Sequence, residues 1–121
     1  MSTPITIVDD SKMSRKLMIR ALPEDWDVEI SQAANGQEAM EAYQQGKAEV
    51  MFLDLTMPVM DGYQVLEALQ KSGLNTFVIV VSADIQPLAQ ERVMQLGAMA
   101  FIKKPVNTEE VTQILTEYGI I

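Results

Sequence analysis

Residues 50–62 read VMFLDLTMPVMDG, a stretch that opens with an apolar run ending at an aspartate. Its first four residues are apolar, as in a short strand that is buried on both faces of a sheet. Asp54 follows this strand directly, and helical spacing of apolar residues begins at Gly62 and continues to Lys71. A buried strand that ends in a carboxylate and leads into a helix predicts one βα unit of a parallel sheet.

The same alternation extends through the rest of the sequence. Further short segments, rich in β-branched or aromatic residues, predict strands at 5–8, 28–31, 77–81 and 99–102. Helical spacing predicts helices at 11–22, 36–45, 62–71, 87–96 and 108–118. We therefore predict an α/β fold with a parallel sheet and helices on both of its faces. No repeat, low-complexity stretch or linker divides the chain, so residues 1–121 are expected to form one domain.

Several predicted helix ends carry residues that cap helices. Asparagine followed three residues later by glutamate predicts capping boxes, one at Asn35 and Glu38 and one at Asn107 and Glu110. Pro87 suits the first turn of a helix, and the glycines expected at helix C-termini are Gly46, Gly73 and Gly97. These signals support the predicted helix boundaries.

The composition excludes several classes of function. The chain carries 17 acidic and 9 basic residues, for a net charge of −8, so direct nucleic-acid binding is disfavoured. It contains no cysteine and no histidine, which excludes disulfides, thiolate metal sites and a histidine general base. No apolar run is long enough to span a membrane and no signal peptide is recognisable, so we expect a cytoplasmic protein without membrane insertion. Four basic residues in the first predicted helix are interpreted as a solvated face, and they are Lys12, Arg15, Lys16 and Arg20.

Polar residues directly follow four of the five predicted strands. Asp9 and Asp10 follow the first strand, and Asp54 follows the third. The residues after the fourth and fifth strands are Ser82, Lys103, Lys104 and Pro105. Because ligands bind beyond the carboxyl ends of strands in an open parallel sheet, we expect these side chains to form one site. Each residue alone could simply cap a helix or end a strand, and the interpretation as a site depends on their joint placement.

The predicted site combines three carboxylates, a hydroxyl and an ammonium group. Three carboxylates on one edge repel one another unless a cation or a proton compensates them. Mg²⁺, a hard cation that prefers oxygen ligands, fits such a site, and Lys104 adds a fixed positive charge. This arrangement suits a phosphoryl group, whose oxygens could pair with both cations and accept a hydrogen bond from Ser82. Asp54 is then the candidate nucleophile.

These residues resemble the motifs of the receiver domains of two-component response regulators, from about Thr3 to Tyr118. The matching positions are Asp9 with Asp10, Asp54 within FLDLTMP and the following VMDG, Ser82, and Lys104 with Pro105. The resemblance implies a flavodoxin-like fold, which is a three-layer (βα)5 sandwich with strand order 2-1-3-4-5. It also implies a single-domain, chemotaxis-regulator-like protein that takes a phosphoryl group from a sensor histidine kinase onto Asp54.

The resemblance further implies roles for individual residues. Mg²⁺ would be held by Asp10, Asp54 and the backbone carbonyl of Thr56, with Asp9 contributing directly or through a water molecule. The peptide bond between Lys104 and Pro105 would be cis. Ser82 and Phe101 would switch the face formed by the fourth helix, fifth strand and fifth helix, where a downstream protein would dock. We expect a monomer or a phosphorylation-dependent dimer.

Three alternatives stay open at this point. The sequence could be a receiver domain cut from a longer response regulator with a separate C-terminal output domain. A haloacid-dehalogenase-type phosphohydrolase also forms an aspartyl phosphate, but that class needs an aspartate where this chain has Thr56. A degenerate receiver that serves only as an interaction domain is disfavoured because the acceptor residues are intact. We therefore expect a phosphoacceptor and not an enzyme, with at most slow self-hydrolysis.

Overall fold

The structure, a computed structural model, describes residues 2–83 and 86–121, and within them five strands alternate with five helices. The strands are β1 (Thr3–Val8), β2 (Val28–Ala33), β3 (Val50–Leu53), β4 (Phe77–Ser82) and β5 (Ala100–Lys103). The helices are α1 (Lys12–Arg20), α2 (Gly36–Gln44), α3 (Gly62–Lys71), α4 (Pro87–Gln95) and α5 (Thr108–Glu117). The predicted domain of residues 1–121 includes residues 1, 84 and 85, which lie outside the described residues. No helix in the described part of the chain is both long and apolar enough to span a membrane.

All neighbouring strands pair in parallel, in the order β2-β1-β3-β4-β5. This order confirms the predicted flavodoxin-like sheet. It places β1 next to β3, at the point where the strand order reverses, and parallel sheets bind ligands beyond such a point. In this pair Val8 lies opposite Leu53, so Asp9 and Asp54 leave the sheet side by side.

The core consists of two apolar layers, one on each face of the sheet. One layer packs α2, α3 and α4 against the sheet through residues such as Ala39, Leu66 and Val93. The other packs α1 and α5 through Met18 and Leu115. Apolar side chains therefore cover both faces of the sheet, which is why β3 is apolar throughout.

Most of the predicted helix ends are confirmed. Asn35 and Asn107 accept hydrogen bonds from the backbone N–H groups of Glu38 and Glu110, at 2.9 and 2.8 Å. At α2 the reciprocal bond goes to a different residue, because the Glu38 carboxylate accepts from the N–H of Ala34. Pro87 opens α4, and the glycines with positive φ after helices include Gly46, Gly73 and Gly97.

Candidate functional site

The sheet brings three carboxylates to the end of the β1–β3 pair. The N–H of Asp54 donates to the carbonyl of Val8 at 3.0 Å, and the N–H of Asp9 donates to the carbonyl of Ala33 at 3.0 Å. These bonds extend the strand ladders one residue beyond the strands. Carboxylate oxygens of Asp9, Asp10 and Asp54 lie within 4.8 Å of one another. The predicted convergence of these three residues is therefore what the structure contains.

Lys104 places an ammonium group beside two of these carboxylates. Its Nζ lies 2.8 Å from Oδ2 of Asp9 and 3.5 Å from Oδ1 of Asp54. Its backbone N–H donates to the carbonyl of Ser82 at 2.9 Å, which fixes the loop after β5 against the end of β4. The predicted cis peptide bond between Lys104 and Pro105 is confirmed.

Asp9 connects the acidic cluster to α1. Its Oδ1 accepts a hydrogen bond from the N–H of Ser11 at 2.9 Å, and Ser11 in turn caps α1 by accepting from the N–H of Ser14. The backbone carbonyl of Asp9 accepts from Nη1 of Arg15 at 2.7 Å, and Nε of Arg15 donates to Gln32 at 2.8 Å. Asp9 is thus held in place by its neighbours in the chain as well as by Lys104.

Arg15 corrects one prediction made from the sequence. The four basic residues of α1 were expected to form a solvated face, and three of them, Lys12, Lys16 and Arg20, are exposed. Arg15 is half-buried and ties α1 to the ends of β1 and β2. Its position one helical turn after Ser11 is the signal that distinguishes it, because that turn faces the end of β1.

The charges of the cluster are only partly balanced. Burial raises the pKa of Asp54 to about 6, with a further increase from the negative charge of Asp9 and a partial offset from Lys104. Burial alone would lower the pKa of Lys104, but its hydrogen bond to Asp9 and the charges of Asp54 and Asp9 outweigh that effect, so the pKa is raised. At Asp54, burial and the negative charge of Asp9 therefore outweigh the favourable effect of Lys104.

The loop between β3 and α3 is packed closely against Asp54. Gly62 donates its N–H to the carbonyl of Leu55 at 3.0 Å, and a Cβ atom at Gly62 would lie 2.5 Å from the carbonyl oxygen of Asp54. A glycine is therefore required at this close approach. Asp61 caps α3 in a complete capping box with Gln64, which the sequence interpretation did not identify. Thr56 lies in this loop and is exposed, and the role of its carbonyl stays a prediction.

The two predicted switch residues lie on neighbouring strands. Ser82 ends β4, is 2% exposed, and pairs in register with Lys103 of β5. Phe101 lies opposite Val80 and is half-buried against the apolar layer that contains α3 and α4. Lys103 is exposed, consistent with Lys104 as the lysine of the site.

The site matches the chemistry of a hard divalent cation. Among the described residues, the three clustered side chains that could hold one are all carboxylates, and the sequence has no histidine or cysteine to attract softer metals. Burial and the negative charge of Asp9 raise the pKa of Asp54, and a bound cation would favour its ionised form. The geometry and charge therefore fit Mg²⁺.

Comparisons with known proteins agree with this geometry. A protein-glutamate methylesterase/protein-glutamine glutaminase of Koribacter versatilis is 38% identical over 116 residues, which cover 92% of this chain but 32% of that protein. The chain thus spans about a third of that relative. The chemotaxis protein CheY of Listeria monocytogenes is 35% identical over 112 residues, covering 92% of this chain and 93% of the relative.

Solved structures and a family model give the same result. A chain in the CheX–CheY–BeF3–Mg²⁺ complex of Borrelia burgdorferi superposes with a TM-score of 0.87 at 29% identity, covering 98% of this chain and 90% of that one. The model of the response regulator receiver domain matches residues 5–116, which include the acidic cluster, Ser82 and Lys104. The chain therefore belongs to the response regulator receiver domain family.

Proposed function

We propose that this chain accepts a phosphoryl group on Asp54 from a sensor histidine kinase, in a step that depends on Mg²⁺. The observation that carries the proposal is the setting of Asp54. The residue is 7% exposed, and its carboxylate lies within 4.8 Å of the carboxylates of Asp9 and Asp10 and 3.5 Å from Nζ of Lys104. A purely structural aspartate gains nothing from two like charges, whereas a phosphoryl-binding site needs carboxylates to hold its cation and an ammonium to pair with its oxygens.

The metal would be held by Asp9, Asp10, Asp54 and the carbonyl of Thr56. When bound, Mg²⁺ supplies positive charge that stabilises the oxygens of the transferring group. These ligands come from the ends of β1 and β3 and from the loop after β3. Their backbones are fixed by the sheet and by the contact of Gly62 with Asp54.

Asp54 would act as the nucleophile. At pH 7 its carboxyl group is mostly ionised, because its pKa is about 6. One carboxylate oxygen forms a bond to phosphorus while the phosphorus–nitrogen bond of a phosphohistidine breaks. The departing imidazole nitrogen keeps the electron pair and takes up a proton from solvent. Lys104 is positioned to pair with a phosphoryl oxygen, and its ion pair with Asp9 limits its conformations.

Ser82 and Phe101 would carry the signal away from Asp54. A phosphoryl group adds charge and acceptor oxygens near the end of β4, where the Ser82 hydroxyl would donate to it. Movement of Ser82 would let the half-buried Phe101 turn further inward. The face made by α4, β5 and α5 would then change for a downstream protein partner. The size of this population shift depends on how differently the two states hold the phosphoryl group.

The chain is proposed to act as a switch and not as a catalyst of its own turnover. Slow self-hydrolysis of the aspartyl phosphate is the most activity we assign to it. The phosphohydrolase alternative is disfavoured because Thr56 stands where that class needs an aspartate. A cytoplasmic location and a monomer, or a dimer formed on phosphorylation, belong to the same proposal.

Two protein contexts are supported by the relatives. The Listeria CheY, which the matched region covers over 93% of its length, supports a stand-alone chemotaxis-type regulator. The Koribacter methylesterase, matched over 32% of its length, supports the alternative of a receiver within a longer response regulator. Immunoblotting the natural product in its source cells, with an antibody raised against this chain, separates the two by size.

A small phosphodonor tests the assignment of Asp54. Acetyl phosphate with Mg²⁺ should add one phosphoryl group to the wild-type chain, detected by intact-mass spectrometry. Asp54→Asn should abolish the product, whereas Asp25→Asn, a change at an exposed aspartate, should leave it unchanged. Equal uptake by the Asp54→Asn and wild-type chains would overturn the assignment.

A second experiment tests the metal ligands. Asp10→Asn removes one carboxylate of the cluster and should weaken Mg²⁺ binding sharply in isothermal titration calorimetry. Lys47→Ala, at an exposed position outside the cluster, should not. Equal affinities of these two variants would rule out the acidic cluster as the metal site.

A further inference from the structure

The loop after β3 contains a valine, and neither core packing nor the local backbone conformation explains why valine stands at this position. Val59 has a φ of 69°, in the left-handed region that β-branched residues rarely adopt. The N–H of Met60 donates to the carbonyl of Pro58 at 2.7 Å, which makes Val59 the central residue of a three-residue turn. The positive-φ form of this turn is the rare and strained one. Glycine or asparagine would fit this backbone better than valine.

The side chain of Val59 gives the fold no compensation for this strain. It is 77% exposed and belongs to neither apolar layer of the core. Leu74 shows the contrast, because it also has positive φ, at 48°, but packs its side chain against the core and against Gly97. Strain at Leu74 is offset by burial, whereas strain at Val59 is not.

The turn holds Val59 firmly at the edge of the site. The carbonyl of Met60 accepts a hydrogen bond from the N–H of Gly36 at 3.0 Å, and Met60 packs against the core. The loop begins directly after Asp54 and returns to it at Gly62. A β-branched side chain is also stiff about χ1. The result is a rigid, exposed apolar group on a loop whose two ends lie at the proposed phosphoacceptor.

We infer that Val59 is a specificity-determining contact for the protein that delivers the phosphoryl group. A protein donor must bring its phosphohistidine to Asp54 past this loop, and an apolar depression beside that histidine would bury Val59. A small phosphodonor has no such surface and would not use the contact. The inference rests on the proposed function, and it adds that the donor surface around the phosphohistidine is apolar where it meets this loop.

The test compares two donors on the same variants. The small donor is acetyl phosphate, and the protein donor is the autophosphorylated histidine kinase, chosen from a purified panel, that transfers fastest to the wild-type chain. Val59→Asn should raise Tm by about 4 °C because it relieves the backbone strain. It should leave the rate with acetyl phosphate unchanged and lower kcat/KM with the kinase about tenfold, mainly through KM. Val59→Leu keeps an apolar side chain and should retain transfer from the kinase within about twofold.

Several outcomes would overturn the inference. Unchanged transfer from the kinase to Val59→Asn would show that Val59 makes no important contact with the donor. An unchanged Tm would show that the backbone at Val59 is not strained. An equal loss of transfer rate with both donors would show that Val59 maintains the structure of the site and does not contact the partner. If the wild-type chain takes up no phosphoryl group from either donor, the proposed function itself fails, a result distinct from a difference between donors.

Discussion

Replacing Asp54 with asparagine should stabilise the metal-free protein, although it removes the proposed phosphoacceptor. In the folded chain the carboxylate is nearly buried and faces the negative charge of Asp9, and its pKa rises from the ordinary 3.8 to about 6. This increase already includes the favourable effect of Lys104. It corresponds to about 3 kcal/mol by which the ionised group disfavours folding at neutral pH. The asparagine side chain has nearly the same shape and no charge, so the substitution should recover up to that amount.

The raised pKa of Asp54 determines how the stability difference between the wild type and Asp54→Asn changes with pH. Between pH 3.8 and about 6 the folded protein binds more protons at Asp54 than the unfolded chain does. The free energy of unfolding of the wild type therefore falls as pH rises through this window, and the variant lacks this contribution. The advantage of Asp54→Asn should be absent below about pH 4 and complete near pH 7. At pH 7 the difference in Tm should be on the order of 10 °C.

Urea denaturation in EDTA, followed by circular dichroism at pH 4, 5, 6 and 7, measures this difference directly. Asp25→Asn removes an exposed charge and should change stability by less than about 0.5 kcal/mol at every pH. Saturating Mg²⁺ should stabilise the wild type more than Asp54→Asn, because the wild type has the additional ligand. If Asp54→Asn is no more stable than the wild type in EDTA at pH 7, the account of the charge imbalance is wrong.

Three further substitutions test other parts of the site. Gly62→Ala forces a Cβ atom to within 2.5 Å of the Asp54 carbonyl oxygen. It should destabilise the fold by about 2 kcal/mol or more in urea denaturation. An unchanged stability would contradict the close packing of the loop. Lys104→Met removes the ammonium group from the acidic cluster and should destabilise the metal-free protein by about 2 kcal/mol at pH 7. Lys103→Met, at an exposed position, should have little effect on stability. Equal losses of stability in the two variants would argue against the ion pairs of Lys104. Asp61→Ala removes the cap of α3 and should lower Tm by about 4 °C in a thermal melt, so an unchanged Tm would show that the capping box adds nothing.

The parts of the fold that follow from local rules could be predicted from the sequence. Apolar runs indicate β1, β3 and β4, because a central strand between two layers of helices must be apolar on both faces. Boundaries were less accurate, and β5 comprises Ala100–Lys103 where 99–102 was predicted. Capping was also only partly predictable, because a cap depends on backbone geometry as well as residue type. Glu38 reaches Ala34 instead of the asparagine next to it, and the complete box forms at Asp61, where no box was expected.

The composition of the site could likewise be predicted, since parallel strands deliver their following residues to one edge. The way in which Lys104 pairs with the individual carboxylates of the site could not be predicted. Lys104 could have paired equally with each carboxylate, but it lies 2.8 Å from Asp9 and 3.5 Å from Asp54. That difference depends on the path of the loop after β5, which residue types do not specify.

The unequal distances from Lys104 bear on why Asp54, and not Asp9, is the proposed nucleophile. Asp9 is engaged three ways, since its carboxylate accepts from Ser11 and Lys104 and its carbonyl accepts from Arg15. An oxygen that already accepts a charge-assisted hydrogen bond is a weaker nucleophile, because the donor stabilises its negative charge. Asp54 faces the same ammonium at a longer distance, and burial together with the negative charge of Asp9 raises the pKa of Asp54. A carboxylate with a raised pKa is a more basic nucleophile, and a cation arriving with the phosphoryl group would offset the repulsion between Asp54 and Asp9.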